Sequence, residues 1–287
     1  MLNGLDFFIR KNFVLHLTFQ KMIDYKTPTL DLKQFQNLKQ FEKDICHFVT
    51  TRHGGISHGT YNSLNLGMVQ DDDTDNVIEN RNRVAKAVGL ELKDFVYPIQ
   101  VHGVNVPRIY EDDRGKGTLS LNDAFANTDG FITNTPRLCL MTLAADCVPI
   151  IFFDPVAKAI GVAHAGWKGT VNQIPKYLIN RMEQEFNTNP KDLIVGIGPS
   201  GGPSRYEVGN DVVEEASKNF RIADVIKNIN GTTFFDMWEA NRLTLIESSV
   251  NPINIETSDI CTISHNEEFF SARHGDGGRF AAGIYLK

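Results

Sequence analysis

Two histidines and one cysteine of this sequence stand at the ends of short apolar segments, where a buried strand ends and a side chain becomes accessible. They are His102, Cys147 and His164. Two imidazole nitrogens and one thiolate can hold Zn²⁺ tetrahedrally and leave a fourth position for water, which is the arrangement of a catalytic zinc site. Zinc makes such a water a nucleophile near neutral pH. Without a metal, the same residues would support nucleophilic catalysis, and the spacing alone leaves both chemistries open.

Glycine-rich loops place basic residues where an anion such as phosphate could bind. Lys168 lies in the loop 166–170, which leads into a predicted helix whose first N–H groups and dipole favour negative charge. Arg52, Arg273 and Arg279 stand beside further glycine-rich loops and are candidate phosphate ligands. The structural alternative is a set of tight turns with solvated cations.

The elements that must position these residues are predicted from the apolar segments themselves. Residues 138–143, 148–153 and 159–163 are short apolar runs between turn signals, which is typical of buried strands. The last two form an antiparallel hairpin that joins Cys147 to His164. Further strands are predicted at 14–19, 46–51, 95–101, 193–197, 253–256, 268–272 and 280–286. The first of these alternates only weakly, like an edge strand.

Helices are predicted between these strands. Pairs of residues three apart resemble capping boxes and mark three helix starts: Asn76 with Glu79, Asp211 with Glu214, and Asp236 with Glu239. A fourth helix is predicted to begin near Thr170 or Asn172. Strands and helices alternate irregularly, so the pattern predicts a mixed α/β or α+β fold whose sheets are covered by helices.

Composition limits the class of protein. The chain has 287 residues, is 41% hydrophobic and 22% charged, and carries a net charge of −6, which argues against a binder of nucleic acid or anionic membranes. No apolar run is long enough to span a membrane, and no signal peptide is recognisable. The four cysteines are scattered without a CxxC pair, which predicts free thiols and a cytoplasmic location. The absence of a linker or repeat predicts a single large domain.

Seven segments resemble, in order, the successive motifs of the laccase-domain (YfiH-like) family. They are TRHGGISHGTYNSLNLG, QVHG, TDGFITNTP, LAADCVPIIFFDP, GVAHAGWKGT, IGPSGGPSRYEVG and FFSARHGDGGRFAAGI. The resemblance runs from about residue 48 to the end of the chain. It implies a layered α+β sandwich over residues 46–287, with residues 1–45 as an N-terminal extension of the same domain.

The family resemblance also implies a metal site and an activity. It places zinc on His102, Cys147 and His164, and it implies deamination of adenosine and phosphorolysis of adenosine, inosine, guanosine and S-methyl-5′-thioadenosine. The resemblance and the residue chemistry together give two sets of site residues. The predicted catalytic residues are Asp146, Cys147 and Lys168, with Asp146 as general acid or base or as a residue that orients a metal ligand. The predicted substrate-binding residues are Arg52, Asn65, Gln100, Arg273 and Arg279.

The sequence departs from the family pattern beside the predicted substrate contacts. Arg205 stands where many members have cysteine, and Arg273-His274 stands where two arginines are usual, followed by Gly-Gly in place of Thr-Gly. These departures leave the nucleoside preference open. Two other functions also stay open: a Cys/His hydrolase or amidase that edits a UDP-muramoyl amino acid cell-wall precursor, and a non-catalytic binding protein stabilised by zinc.

Overall fold

The computed structural model describes residues 22–68 and 71–287, and its centre consists of two β-sheets packed face to face. The described strands are β1 (Ile23–Lys26), β2 (Asp31–Gln34), β3 (Ile45–Thr50), β4 (Phe95–Val96), β5 (Gly130–Thr133), β6 (Cys139–Ala144), β7 (Val148–Asp154), β8 (Ala159–Ala165), β9 (Ile194–Ile197), β10 (Ile226–Ile229), β11 (Thr232–Phe235), β12 (Ile255–Thr257) and β13 (Phe280–Leu286).

The described part of the chain also contains seven α-helices. They are α1 (Gln36–Lys39), α2 (Thr74–Ala87), α3 (Trp167–Val171), α4 (Ile174–Phe186), α5 (Asn210–Ser217), α6 (Ile222–Val225) and α7 (Met237–Glu247). None of these described helices is long and apolar enough to cross a membrane.

Both large sheets are mixed. The six-stranded sheet has the order β1-β2-β3-β13-β6-β4, in which only the β4–β6 pair is parallel. The five-stranded sheet has the order β12-β9-β7-β8-β5, in which only β12 and β9 are parallel. Strands β10 and β11 form a separate antiparallel pair. β1 and β2 extend the six-stranded sheet at one edge, so the described residues before β3 pack with the rest of the chain.

The side chains of β7 show how the layers are held together. Successive residues of a strand point to opposite faces, and here both faces are apolar. Ile151 and Phe153 enter the core between the two sheets, whereas Ile150 and Phe152 enter a second core beneath the helices. Each fully buried side chain of this size stabilises the fold by roughly 1.5–3 kcal/mol.

Helices cover the outer faces of both sheets. The apolar face of α4 packs on the five-stranded sheet through Leu178 and Met182. On the other side, Val84 of α2 packs with Phe48 and Met141 of the six-stranded sheet. The structure therefore confirms the predicted α+β sandwich of mixed sheets covered by helices in a single domain.

The central strand predictions are confirmed to within two residues at each end. The predicted hairpin is the antiparallel pair β7–β8, in which Pro149 lies opposite His164. The predictions at 46–51, 193–197 and 280–286 correspond to β3, β9 and β13. The weak prediction at 14–19 lies outside the described residues.

Three predicted strands are wrong in extent or type. The strand predicted at 95–101 ends at Val96, because Pro98 has no N–H to donate to a neighbouring strand. Residues 268–272 form turns that lead into the 3-10 turn Ala272–His274, although Phe269 and Phe270 are fully buried. The prediction at 253–256 covers the 3-10 turn Pro252–Asn254 and the start of β12.

The helix starts also differ from the capping-box predictions. Asp73 caps α2 by accepting from the N–H of Asp75, and Gly209 occupies the cap position of α5. Only Asp236 caps as predicted, by accepting from the N–H of Glu239 at the start of α7. The helix predicted near residue 170 is two helices, with α3 already beginning at Trp167.

Candidate metal and substrate site

The β7–β8 hairpin and one loop bring the two histidines and the cysteine together. Cys147 directly precedes β7, and His164 lies near the end of β8, so strand pairing makes them neighbours. His102 comes from the loop after β4 and has left-handed backbone geometry, with φ of 63°. His164 is buried, Cys147 is half-buried and His102 is exposed.

The distances between these side chains suit a shared metal ion. The three ligand atoms all lie within 4.8 Å of one another, and Cys147 Sγ lies 3.6 Å from His102 Nε2. Tetrahedral ligands at zinc bond lengths are separated by about 3.5 Å. The two imidazole rings meet edge to face, with centroids 4.8 Å apart. The predicted triad can therefore bind a metal ion.

Gly166 permits this close approach. A Cβ atom at this position would lie 2.4 Å from Cδ2 of His102 and 3.0 Å from Sγ of Cys147. Any other residue would push the exposed histidine away from the thiol. The glycine of the HAGW segment is thus required by the geometry of the three ligands.

Asp129 contacts both histidines. Its Oδ1 accepts from the Nδ1 of His164 at 2.8 Å and from the backbone N–H of His102 at 2.8 Å. Its Oδ2 accepts from the N–H groups of Gly103 at 2.7 Å and Val101 at 3.2 Å. Burial alone would raise the pKa of Asp129, but the hydrogen bonds from His164 and Gly103 hold it below its usual range. The residue is fully buried.

The electrostatics of the site favour a thiolate. Burial by itself would raise the pKa of Cys147, but the neighbouring His164 and His102 lower it to about 6. Burial would likewise lower the pKa of His164, but the Cys147 thiolate and the Asp129 carboxylate raise it to about 9. The thiolate is the form that binds metals and reacts as a nucleophile.

The triad opens into a cavity of about 450 Å³. The polar and charged residues that line it are Arg81, Gln100, His102, Asp146, Cys147, His164, Tyr206, Arg273 and Arg279. The volume lies in the range typical of sites for small molecules. Burial raises the pKa of the Tyr206 phenol to about 12, so this hydroxyl remains a proton donor at neutral pH.

Three arginines line the cavity: Arg81, Arg273 and Arg279. None of them forms an ion pair among the described residues. The arginine ion pairs that the described residues do form involve other positions. Arg279 bonds to the carbonyls of Gly277 and Gly278. Arg273 stacks on the ring of Tyr206 and donates to the carbonyl of Glu207. Their positive charges therefore remain available to an anion in the cavity.

Arg81 is a cavity residue that the sequence does not predict. It lies on α2 and is fully buried, where its guanidinium stacks on Tyr97 and donates to the carbonyls of Leu66, Gly117 and Thr118. Its Nη2 has no hydrogen-bond partner among the described residues. Burial lowers its pKa to about 10, so it stays positively charged at neutral pH. In the sequence, Arg81 is one of several polar residues of a predicted helix, and nothing distinguishes it as a residue that lines a cavity.

The backbone of Leu66 connects two of these arginines. The carbonyl of Leu66 accepts from Nε of Arg81, and the N–H of Leu66 donates to the carbonyl of Arg279. Asn65, a predicted substrate contact, does not line the cavity. It is fully buried, and its Oδ1 accepts from the N–H groups of Gly67 and Arg279. Asn65 therefore supports the backbone of Arg279, and its contact with substrate stays a prediction.

The structure places two predicted cations outside the cavity. Arg52 pairs with Asp276 through both terminal nitrogens at 3.1 Å and stacks on Phe270, which uses its charge within the fold. Lys168 is exposed and lines a separate surface depression with Trp167. Their predicted roles in phosphate binding and catalysis therefore have no support from the geometry, because neither side chain reaches the triad's cavity.

Two further predicted residues line the cavity but are fixed by hydrogen bonds. Asp146 accepts from the hydroxyls of Thr262 and Ser271 and from the backbone N–H of Arg273. Both of its oxygens are thereby occupied, and it ties the Arg273 segment to the cysteine loop. The amide of Gln100 exchanges two 2.8 Å hydrogen bonds with the backbone of Leu143.

The residues that depart from the family pattern have different positions. Arg205 and His274 do not line the cavity, and His274 Nε2 contacts the carbonyl of Ile263. Arg273 does line it. The departures therefore leave the predicted metal ligands untouched, whereas the Gly277-Gly278 pair, which replaces Thr-Gly, contacts Arg279 through its carbonyls.

The chain is similar to known proteins over most of its length. Residues 46–287 match the family described as multi-copper polyphenol oxidoreductase laccase. The chain belongs to this family. It is 36% identical to purine nucleoside phosphorylase YlmD of Bacillus subtilis over 267 residues, covering 91% of this chain and 96% of that protein.

Two further relatives extend the comparison. The chain is 34% identical to adenosine deaminase RL5 of an unknown prokaryotic organism, covering 84% of this chain and 93% of that protein. The crystal structure of the hypothetical protein YfiH from Bacillus licheniformis matches with a TM-score of 0.86 at 30% identity, covering 92% of this chain and 99% of that one.

Proposed function

We propose that this protein is a zinc-dependent purine nucleoside enzyme. Its reactions are deamination of adenosine and phosphorolysis of adenosine, inosine, guanosine and S-methyl-5′-thioadenosine. One observation carries the proposal: a single cavity contains a Cys/His group that can hold a metal ion and three arginines that form no ion pair with the described residues. The names of its relatives, a purine nucleoside phosphorylase and an adenosine deaminase, supply the substrate class.

The donor set supports zinc as the metal. One thiolate and two imidazoles are ligands that Zn²⁺ binds in catalytic sites, where it activates water near neutral pH and polarises bound groups. The protein keeps Cys147 ionised through its histidine neighbours. The exposed position of His102 leaves the site open to the cavity.

The arginines support phosphate as the second substrate. Phosphorolysis breaks the bond between C1′ of the ribose and N9 of the purine and forms a new bond from C1′ to a phosphate oxygen. Arg279 and Arg273 line the cavity and can donate charge-assisted hydrogen bonds to that anion. Arg81 adds a buried positive charge, whose field is weakly screened in the protein interior.

Asp146 is better suited to positioning than to proton transfer. Its carboxylate already accepts three hydrogen bonds, one of them from the backbone of Arg273. We therefore propose that it holds the Arg273 segment against the Cys147 loop. This keeps the anion-binding arginine at a fixed distance from the metal ligands.

The proposed setting is the cytoplasm. All four cysteines lie in the described part of the chain and are free, as the sequence predicts. Free thiols fit a reducing compartment, and nucleosides and phosphate are both available there. The net charge of −6 argues against nucleic acid as a partner.

A product screen of the zinc-loaded protein tests the proposal. Adenosine should yield inosine and ammonia without phosphate, and inosine should yield hypoxanthine and ribose 1-phosphate only when phosphate is present. UDP-muramoyl-serine serves as the competing substrate, and release of serine in place of nucleoside turnover would favour the cell-wall editing function. A protein that binds zinc but turns over neither substrate would point to the non-catalytic binding protein.

A further inference from the structure

Asp129 joins the two histidine ligands through one carboxylate, although the histidines belong to different elements. His164 lies in β8, and His102 lies in the loop after β4. Asp129 directly precedes β5, the strand that pairs with β8. The backbone fixes it as well, because its N–H donates to Asn105 and its carbonyl accepts from the N–H of His164.

The loop that carries His102 is wrapped around this carboxylate. Three successive backbone N–H groups, of Val101, His102 and Gly103, donate to Asp129 at 2.7 to 3.2 Å. They converge because His102 has a φ of 63°, and a residue in this conformation turns neighbouring N–H groups into an anion-binding concavity. A non-glycine residue in this region is strained, and the three hydrogen bonds offset that strain.

The other ligand is fixed through its ring. Nδ1 of His164 donates to Oδ1 of Asp129 at 2.8 Å, so Nε2 is the ring nitrogen that can bind a metal. The ring and the carboxylate are both buried, so water does not compete for this hydrogen bond.

We infer that Asp129 is a positioning residue that builds both histidine ligands of the metal site before a metal binds. One carboxylate sets the backbone of His102 and the ring of His164, so removing its charge disturbs two ligands together. The inference rests on the proposed metal site, but it does not depend on which reaction the site catalyses.

Metal affinity of the Asp129→Asn variant is the first test. The amide keeps the shape of the side chain, but its NH₂ group faces N–H donors. The Kd for Zn²⁺, measured by competition with a chromogenic chelator, should rise about 10- to 100-fold. Asp154→Asn is the matched control. Asp154 is equally buried, and it accepts from the N–H groups of Val156 and Ala157. It lies at the turn of the β7–β8 hairpin, at the end opposite His164, so its substitution should leave the zinc Kd unchanged.

Amide hydrogen exchange of the unsubstituted protein is the second test, and it does not require a folded variant. In metal-free protein, the N–H groups of residues 101–103 should already be protected, with little further slowing when Zn²⁺ is added. Fast exchange that becomes slow only with Zn²⁺ would overturn the inference, as would an unchanged zinc Kd in folded Asp129→Asn. A protein that binds zinc but turns over no nucleoside would contradict the proposed function alone.

Discussion

Sγ of Cys147 lies 3.6 Å from Nε2 of His102, although 45 positions separate the two residues in the sequence. The hairpin β7–β8 and the loop after β4 must both be correctly folded for this contact to form. Gly166 leaves the space for it. The contact joins the one sulfur ligand to the exposed histidine, and it is the basis of the first prediction.

Replacing the thiol should remove the metal. Cys147→Ser should lose most of its zinc after dialysis, because a serine hydroxyl is not ionised near neutral pH and binds zinc poorly. Elemental analysis by mass spectrometry measures the ratio of zinc to protein. Cys261→Ser is the control, since that thiol accepts from the N–H of Gly202 and belongs to no metal-binding group among the described residues. Full zinc occupancy in Cys147→Ser would show that Cys147 is not a zinc ligand.

Removing a cavity arginine should separate the two activities. Arg279→Gln should slow phosphorolysis of inosine by about 10- to 150-fold. This factor corresponds to the loss of one charge-assisted hydrogen bond, which contributes about 1.5–3 kcal/mol. Deamination of adenosine needs no phosphate and should change far less, with zinc content unchanged. Arg83→Gln is the control, because Arg83 is paired with Glu79 on the surface of α2. Equal losses of both activities would mean that Arg279 positions the nucleoside.

Arg52 should matter for stability and not for phosphate binding. Arg52→Ala removes the ion-pair partner of Asp276 and the hydrogen bonds to the carbonyls of Asn266 and Asn62. We expect a loss of about 1.5–3 kcal/mol in the free energy of unfolding, measured by urea denaturation. The KM for phosphate should stay within twofold of that of the unsubstituted protein. A large rise in this KM without loss of stability would return Arg52 to the substrate site.

His47 should make the protein sensitive to mild acid. It is buried, and burial lowers its pKa to about 3, while its Nε2 accepts from the N–H of Phe35. The unfolded chain therefore binds one more proton at this residue between pH 6.5 and pH 3. Its contribution to stability is fully present above pH 6.5, and it falls by about 1.4 kcal/mol for each pH unit below that value.

The His47→Gln variant provides the comparison for this pH dependence. Its free energy of unfolding, measured by urea denaturation from pH 8 to pH 4, should fall less steeply than that of the unsubstituted protein. The variant removes the titrating group but keeps a side chain able to accept a hydrogen bond. Parallel pH profiles for the two proteins would show that His47 does not resist protonation in the folded state.

The sequence could predict the centre of the fold because its strands are continuous apolar runs. In β7, both faces are buried, so the whole segment is apolar and its limits are clear. The apolar pair Phe269-Phe270 predicts a strand at 268–272 for the same reason, and this prediction is wrong. Phe269 and Phe270 are buried by a turn, and burial alone does not distinguish a turn from a strand.

The group of two histidines and one cysteine could be predicted because few residue types bind zinc and the family motifs contain them. The candidate anion-binding residues could not be ranked in the same way. Arg52, Arg81 and Arg279 have identical side chains. Only the folded structure shows that Arg52 is paired with Asp276, whereas Arg81 and Arg279 form no ion pair with the described residues. The role of Asp129 depends on the left-handed conformation of His102, which the sequence does not reveal.

Competition between two substrates tests most directly whether one cavity serves both reactions. Ammonia release from adenosine is measured with zinc-loaded protein, in phosphate buffer, at increasing guanosine concentration. If the triad and the arginines form one active site, guanosine should inhibit competitively, with an inhibition constant equal to its own KM for phosphorolysis at that phosphate concentration. Deamination that continues unaffected while guanosine is cleaved would contradict a shared cavity.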